Sequence, residues 1–203
     1  RQLYESIGMI YAANSINDQA SRLGLEIDAF DLYSCFPAAV KMFSKSLNLD
    51  SAIPKTITGS MPYAGGPLNS FVLHSTIKMI EKIRNSKISY GLVTGISGMM
   101  TKQSFCIWGK NYRKQFIFDD VSEQAKNNEI PIELSKISEG EGEIIGYTVF
   151  EESKNILKAV LYLEDEVKHR KVISSKDKNF ISLLKEEEWV GKLIKFKNGQ
   201  VVH

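Results

Sequence analysis

The stretch Thr58–Asn69 has the sequence Thr-Gly-Ser-Met-Pro-Tyr-Ala-Gly-Gly-Pro-Leu-Asn and carries 3 of the chain's 14 glycines and 2 of its 5 prolines. It leads into an apolar pattern of helical spacing. Glycine allows positive φ and close approach to a ligand, whereas proline fixes φ. Because a helix N-terminus presents unpaired backbone N–H groups, the stretch is suited to an anion or an oxyanion. A tight connection without chemistry has the same composition, so both interpretations stay open.

Helix and strand patterns alternate on both sides of this stretch. Periodic apolar positions predict helices over residues 3–23 and 68–84, and Pro37 predicts the first turn of another helix that runs to Leu47. Strand patterns lie at residues 27–32, 88–96 and 104–108. This alternation predicts a layered α/β domain.

The character of the sequence changes beyond this domain. Residues 110–140 are polar and irregular, which favours a linker and a domain edge. Short strand patterns follow at residues 143–151, 156–163, 171–174, 189–196 and 200–202, with a short helix at 180–185. Asn198-Gly199 is typical of a hairpin turn. These elements predict a small barrel of the oligonucleotide/oligosaccharide-binding (OB) type.

Charge follows the same division of the chain. We expect an α/β domain at residues 1–118, a linker or edge at 119–137 and a small OB-like β domain at 138–203. Residues 1–118 carry 13 Lys/Arg and 7 Asp/Glu, whereas residues 119–203 carry 13 and 17. Because phosphate neutralisation dominates nucleic-acid binding, an acidic tail and a net charge of only +2 argue against nucleic acid as a partner.

Composition restricts other classes of function. No apolar run approaches the roughly 18 residues that span a membrane. The two cysteines, Cys35 and Cys106, favour a reducing cytoplasm over a disulfide framework, and no spacing of ligand residues indicates a metal site. The chain starts at Arg1 within a helical pattern, so we expect a fragment whose targeting signal, if any, lies upstream.

Four segments, in this order, resemble motifs in the C-terminal half of the thiolase family. In thiolases a strand runs into an Asn-Glu-Ala-Phe or His-Asp-Cys-Phe loop. A Gly-Gly segment, a Gly-His-Pro-Leu-Gly motif that opens a long helix, and a strand with a Cys-Gly-Gly-Gly loop follow. The corresponding segments here are Tyr33–Phe36, Thr58–Ser60, Gly65–Leu68 and Gly91–Gly98. The resemblance covers about residues 1–108.

Within that family the chain is most similar to thiolase-like acetyl-CoA acetyltransferases, related to the sterol carrier protein X type, that carry an extra small β domain. The resemblance implies a coenzyme A thioester as substrate or ligand, a role in lipid metabolism and no covalently bound cofactor. It places Gly59, Gly65 and Gly66 beside the thioester or pantetheine chain. It also implies that a missing N-terminal half carries the nucleophilic cysteine and that the full-length protein can form oligomers.

Three positions depart from the thiolase motifs. Gly66 stands where the family has its activating histidine, Ile96 is near the position of its second cysteine, and Tyr33 replaces the Asn or His that holds a water. Glycine cannot accept a proton, and tyrosine, with a pKa of about 10, is a poor general base at neutral pH. Ordinary thiolysis or Claisen condensation is therefore not expected from these residues.

Three side chains remain as catalytic candidates. Cys35 matches the cysteine of His-Asp-Cys-Phe, and the dipole of the following helix would lower its pKa. A buried small apolar residue is the alternative for Cys35. Tyr33 can hydrogen-bond a water. His74, two turns beyond Pro67, either faces the catalytic region or packs, and packing is favoured.

These observations predict the C-terminal portion of a thiolase-like acyl-CoA acyltransferase that is catalytically degenerate and inactive as this chain alone. The alternative is a non-catalytic acyl-CoA or acyl-carrier binding or scaffolding protein on a thiolase frame. Glycines retained beside lost acid/base groups favour that alternative. An upstream cysteine in the full-length sequence would distinguish the two.

Overall fold

The computed structural model describes residues 5–98, 100–111, 116–152 and 155–202. The chain divides into two compact units, Gln2–Glu129 and Ile130–His203. In chain order, the first unit contains α1 (Ile7–Arg22), β1 (Ala29–Asp31), α2 (Pro37–Ser46), α3 (Met61–Ala64), α4 (Phe71–Asn85), β2 (Tyr90–Ser97), β3 (Lys102–Gly109) and α5 (Ser122–Asn128).

The sheet of the first unit has helices packed on both faces. Its strand order is β1-β2-β3, with β1 parallel to β2 and β2 antiparallel to β3. Successive side chains of a strand point to opposite faces. Leu92 therefore packs with Met9 of α1 and Phe43 of α2, whereas Val93 packs with Met79 of α4 on the other face.

Local signals set the helix boundaries in this unit. The Ser6 hydroxyl caps α1 by accepting the amide of Met9 at 3.3 Å, and Pro37 occupies the first turn of α2 as predicted. α4 begins at Phe71, three residues later than the sequence predicts. The reason is that Leu68 has a φ of 47°, which an α-helix does not accept.

The region predicted to be irregular, residues 110–140, contains the helix α5. Only Ala125 of its seven residues is buried, so its sequence lacks the apolar period that would predict a helix. Just before α5, the carboxylate of Asp119 accepts a 2.5 Å hydrogen bond from the hydroxyl of Ser15 in α1. This contact attaches the segment to the first unit.

The second unit contains a closed five-stranded barrel. Its elements are β4 (Glu139–Glu152), β5 (Asn155–Glu164), β6 (Arg170–Ser175), α6 (Lys178–Glu186), β7 (Leu193–Lys197) and β8 (Gln200–Val202). The strands close in the order β4-β5-β6-β8-β7, and β7 pairs back with β4. The β6–β8 pair is parallel and the other pairs are antiparallel. The predicted small β-barrel is therefore confirmed.

β4 starts at Glu139, four residues earlier than predicted, because closure of the barrel pairs this segment with β7. A Cβ on Gly142 would lie only 3.1 Å from the Leu163 side chain, so the close approach of β5 favours glycine there. Asn198 and Gly199 have φ values of 49° and 75° and connect β7 to β8, which confirms the predicted hairpin turn.

Candidate functional site

The candidate site lies where the two parallel strands of the first unit end. Asp31, the last residue of β1, is in register with Val93 of β2. β2 continues to Ser97, so the segment that follows β1 leaves the sheet beside the last residues of β2, at the carboxyl end of the parallel strands, where open α/β sheets bind ligands. The Tyr33–Phe36 segment directly follows β1, and the Gly/Pro stretch 58–69 is attached to the end of the same strand.

Asp31 attaches the Gly/Pro stretch to β1. Its carboxylate is 1% exposed. Oδ1 accepts hydrogen bonds from the Thr56 hydroxyl at 2.7 Å, the Ile57 amide at 3.0 Å and the Thr58 hydroxyl at 3.1 Å. A buried carboxylate needs several donors to offset the loss of hydration. Asp31 thus fixes the start of the stretch against the sheet.

Thr56 extends this network to the turn at Gly59 and Ser60, here called the glycine turn. Its Oγ1 accepts the amides of Gly59 at 3.1 Å and Ser60 at 3.0 Å. The Gly59 amide is therefore already hydrogen-bonded within the protein. If Gly59 contacts a ligand as expected from the sequence, it does so through close approach of its backbone, at a φ of 88°, and not as a free donor.

Tyr33 and Ser34 bring the first motif segment against the Gly/Pro stretch. The Tyr33 amide donates to the hydroxyl of buried Thr94 at 2.8 Å, and the Tyr33 ring meets the Phe71 ring edge-on with centroids 5.7 Å apart. The Ser34 hydroxyl accepts the amide of Met61 at 3.0 Å. The Tyr33–Phe36 segment therefore contacts the Gly91–Gly98 segment through Thr94 and the Gly/Pro stretch through Met61.

Gly65 and Gly66 lie at the exposed end of the stretch and differ in conformation. Gly65 has a φ of 77° and donates its amide to the Met61 carbonyl at 2.9 Å. Gly66 lies outside the positive-φ region, and its amide has no hydrogen-bond partner among the described residues. A Cβ on Gly66 would meet the Met61 sulfur at 3.3 Å. The amide of Gly66 is thus available to a ligand.

Cys35 does not have the environment of an activated thiol. Burial raises the pKa of the Cys35 thiol above its ordinary value, and the opposing backbone hydrogen bonds of Phe36 and Cys35 are weaker. The expected lowering of its pKa by the helix dipole is therefore wrong, because loss of hydration of the thiolate outweighs it. Burial also raises the pKa of the Cys106 thiol.

His74 is exposed on α4, next to exposed Leu73 and Ile77, so the expected packing of its side chain is wrong. Its ring has no hydrogen bond to any described residue, so the structure does not join it to the Tyr33 segment. Ile96, which the resemblance places near the second cysteine of thiolases, is half-buried against the core that contains Leu92. Neither residue contributes an acid or base to the edge of the sheet described above.

Four polar residues of the site were not singled out from the sequence: Asp31, Thr56, Ser60 and Thr94. The available signal was an acidic residue inside a short buried strand, together with a Thr-x-Thr pair just before the glycine turn. Among the described residues, no cluster of three or more His, Cys, Asp or Glu side chains could hold a metal ion. No helix in that part of the chain is long and apolar enough to cross a membrane.

No family model matches the sequence, and no curated protein matches it. Among solved structures, the chain is similar to a monomeric SCP2-thiolase-like protein type 1 from Mycobacterium smegmatis, with a TM-score of 0.78 and 24% sequence identity. The match covers 94% of this chain and 45% of the Mycobacterium protein. The chain thus spans less than half of that protein's length, and it has the fold of an SCP2-thiolase-like protein.

Proposed function

We propose that this chain is the C-terminal portion of a thiolase-like acyl-CoA acyltransferase and that it binds the coenzyme A thioester without turning it over by itself. The observation that carries the proposal is the glycine turn held by Asp31 and joined to Ser34 at the end of the parallel strands. The free amide of Gly66 adds a donor for a carbonyl oxygen. The thiolase-like fold is the frame in which these groups converge.

A second thiolase-like half is part of this proposal. Leu73 and Ile77 lie one turn apart on α4 and are 63% and 57% exposed. Paired exposed aliphatic side chains on a helix favour contact with another apolar surface. An N-terminal half seated there would supply the nucleophile. The coverage of less than half of the Mycobacterium protein supports this division.

We also propose, from the same residues, that this chain by itself has no thiolase activity. Gly66 offers no side chain to accept a proton, the Tyr33 ring packs edge-on against Phe71, and Cys35 keeps its proton because burial raises its pKa. A thiolysis assay with acetoacetyl-CoA and coenzyme A should therefore give no turnover with residues 1–203. Turnover above the uncatalysed rate would refute the assignment of this chain as inactive.

Binding is tested by calorimetric titration of acetyl-CoA into the same protein. Ser34→Ala removes the acceptor of the Met61 amide, so it should weaken binding by loosening the contact between the two segments. Ser86→Ala makes the same chemical change at the opposite end of α4, where the hydroxyl contacts only the local backbone. Absence of heat with the unmodified protein, or equal affinity for both variants, would contradict the proposed site.

The second candidate is a non-catalytic acyl-CoA or acyl-carrier binding or scaffolding protein on the same frame. It is favoured by a free donor at Gly66 combined with the absence of a base at that position. A nucleophilic cysteine in the N-terminal half would support the acyltransferase, and its absence would support the scaffold. A titration with acyl carrier protein bearing phosphopantetheine then separates carrier binding from coenzyme A binding.

We further propose that the barrel is of the OB type. The strand order with one parallel pair, β6–β8, and the helix α6 between β6 and β7 support this assignment. The acidic charge of residues 119–203 argues for a role other than nucleic-acid binding.

A further inference from the structure

Ser60 has a backbone conformation that side chains rarely adopt. Its φ is 68° and its ψ is 173°, in a region of backbone space that is populated almost solely by glycine. Its neighbour Gly59, with a φ of 88°, meets the same demand without strain. A serine held in such a conformation indicates that the surroundings impose it, and strained residues of this kind cluster at active sites and ligand-binding sites.

The surroundings impose this conformation through two threonine hydroxyls. The Ser60 amide donates to Thr56 Oγ1 at 3.0 Å and to Thr58 Oγ1 at 3.2 Å. Both threonines donate their hydroxyl protons to Asp31. A hydroxyl has one proton and two lone pairs, so donation to Asp31 leaves both oxygens as acceptors for Ser60. The buried carboxylate thus determines the orientation of the Ser60 amide.

The hydroxyl of Ser60 is not used in the hydrogen bonds that hold the backbone. It precedes α3, yet its hydroxyl makes no capping hydrogen bond and has no other partner among the described residues. The residue is half-buried, and its hydroxyl oxygen is not among the fully buried polar atoms that lack a partner, so it retains solvent access. The next residue, Met61, donates its amide to the Ser34 hydroxyl, which places Ser60 beside the contact between the Tyr33–Phe36 segment and the Gly/Pro stretch.

We propose that Ser60 is a ligand-binding residue whose strained backbone, held by Asp31, Thr56 and Thr58, presents its hydroxyl to a carbonyl oxygen of the thioester or pantetheine chain. This inference rests on the proposed function and names a specific hydrogen-bonding group of that site. Glycine would relieve the strain and lose the hydroxyl. Serine at position 60 therefore makes the fold less stable than glycine would, but it supplies a hydrogen-bond donor.

Two substitutions separate the hydroxyl from the backbone. Ser60→Ala keeps the backbone demand and removes the hydroxyl, so it should weaken acetyl-CoA binding about 2- to 12-fold, the range for one hydrogen bond. Ser60→Gly removes both the hydroxyl and the strain. It should weaken binding to the same extent while melting at a higher temperature than Ser60→Ala.

Ser44 in helix α2 supplies the matched control in the same unit. In a helix, glycine is less stable than alanine. Ser44→Gly should therefore have a lower melting temperature than Ser44→Ala. This order is the reverse of the one expected at position 60. Both Ser44 variants should bind acetyl-CoA as the unmodified protein does.

The outcomes distinguish this inference from the proposed function. If the unmodified protein binds acetyl-CoA and Ser60→Ala binds it equally well, the role of the hydroxyl is refuted. If Ser60→Gly has a lower melting temperature than Ser60→Ala, the backbone strain at Ser60 is refuted. If the unmodified protein does not bind acetyl-CoA, the proposed function fails and the ligand assigned to Ser60 fails with it. In that case the comparison of the melting temperatures of Ser60→Gly and Ser60→Ala still tests whether the Ser60 backbone is strained.

Discussion

Gly65 and Gly66 are adjacent residues with different backbone requirements. Gly65 needs positive φ, whereas Gly66 does not. The nearest obstacle to a side chain at Gly66 is the flexible Met61 thioether. The fold therefore does not require glycine at position 66, the position that the resemblance aligns with the histidine of the thiolase motif.

At the residue scale we predict that Gly66→His is tolerated. The free energy of unfolding should change by less than about 1 kcal/mol, because the half-buried Met61 thioether is flexible and can move aside. The control, Gly65→Ala, should lower the free energy of unfolding by about 1–3 kcal/mol through its positive φ. Urea unfolding, monitored by the fluorescence of Trp108 in a Trp189→Phe background, measures both changes in the free energy of unfolding. Equal losses would contradict the difference between the two positions.

The raised pKa of Cys35 gives a second prediction at this scale. Only the thiolate is alkylated, so iodoacetamide should react slowly with Cys35 at pH 7 and faster as pH rises. Because burial raises the pKa, the midpoint of the rate profile should lie above the ordinary 9.0. A Cys106→Ser background isolates Cys35. A midpoint below 9.0 would show an activated thiol and restore Cys35 as a nucleophile candidate.

At the element scale, α4 and β2 approach each other at Gly91. A Cβ at this position would lie 2.1 Å from the Met79 sulfur, and Met79 is fully buried in the cluster with Ala29 and Val93. The close contact keeps α4 against the face of the sheet and sets the position from which the Gly/Pro stretch enters α4. Packed interiors transmit such constraints because they contain little free volume.

We predict that Gly91→Ala lowers the free energy of unfolding by about 1–3 kcal/mol through overpacking. Met79→Ala alone should cost about 2–5 kcal/mol because it creates a cavity. The double variant should cost less than the sum of the two, since the smaller residue at position 79 makes room for the new methyl group. Denaturant unfolding of all three variants measures this coupling, and strict additivity would contradict the contact.

At the scale of the whole molecule, each unit has its own core. The barrel core consists of buried residues of the second unit: Ile144, Ala159, Leu161, Leu163, Ile173, Phe180, Ile181, Leu184, Ile194 and Phe196. Its sheet is closed, so the barrel lacks the long open edges that promote aggregation. These features favour independent folding of the barrel.

We predict that residues 130–203, expressed alone, fold cooperatively with a free energy of unfolding of about 4–10 kcal/mol, in proportion to their length. Thermal unfolding by circular dichroism and a dispersed amide NMR spectrum measure this. Leu161→Ala, at a fully buried core position, should lower the stability by about 2–5 kcal/mol. Failure of the unmodified fragment to show a cooperative transition would contradict independent folding.

Local signals predicted most of the elements from sequence. Pro37, Asn198-Gly199 and the apolar periods located α2, the β7–β8 hairpin and most of the other helices and strands. These signals act within a few residues, so they can be recognised without the fold. The short helix α3, the helix α5 and the start of β4 were not predicted, since these segments acquire their structure through contacts with distant elements.

The candidate site was predictable only in part. The order of the four motif segments indicated a thiolase-like frame, and the solved structure with that fold supports it. The sequence did not reveal that Asp31 holds the glycine turn, because its partners Thr56 and Thr58 lie 25 and 27 residues away. It also suggested a lowered pKa for Cys35, whereas burial in the folded chain raises it.

The sequence by itself therefore determined the order of most helices and strands and the presence of a β-barrel, and its resemblance to the thiolase motifs predicts that Gly66 replaces their histidine. Only the tertiary structure decided which backbone amides of the Gly/Pro stretch are free and which residue carries strain. The Ser60 conformation depends on hydrogen bonds that originate at Asp31, and the free energy of such contacts exists only once the chain has folded. Local propensity cannot encode contacts between residues so far apart in the chain.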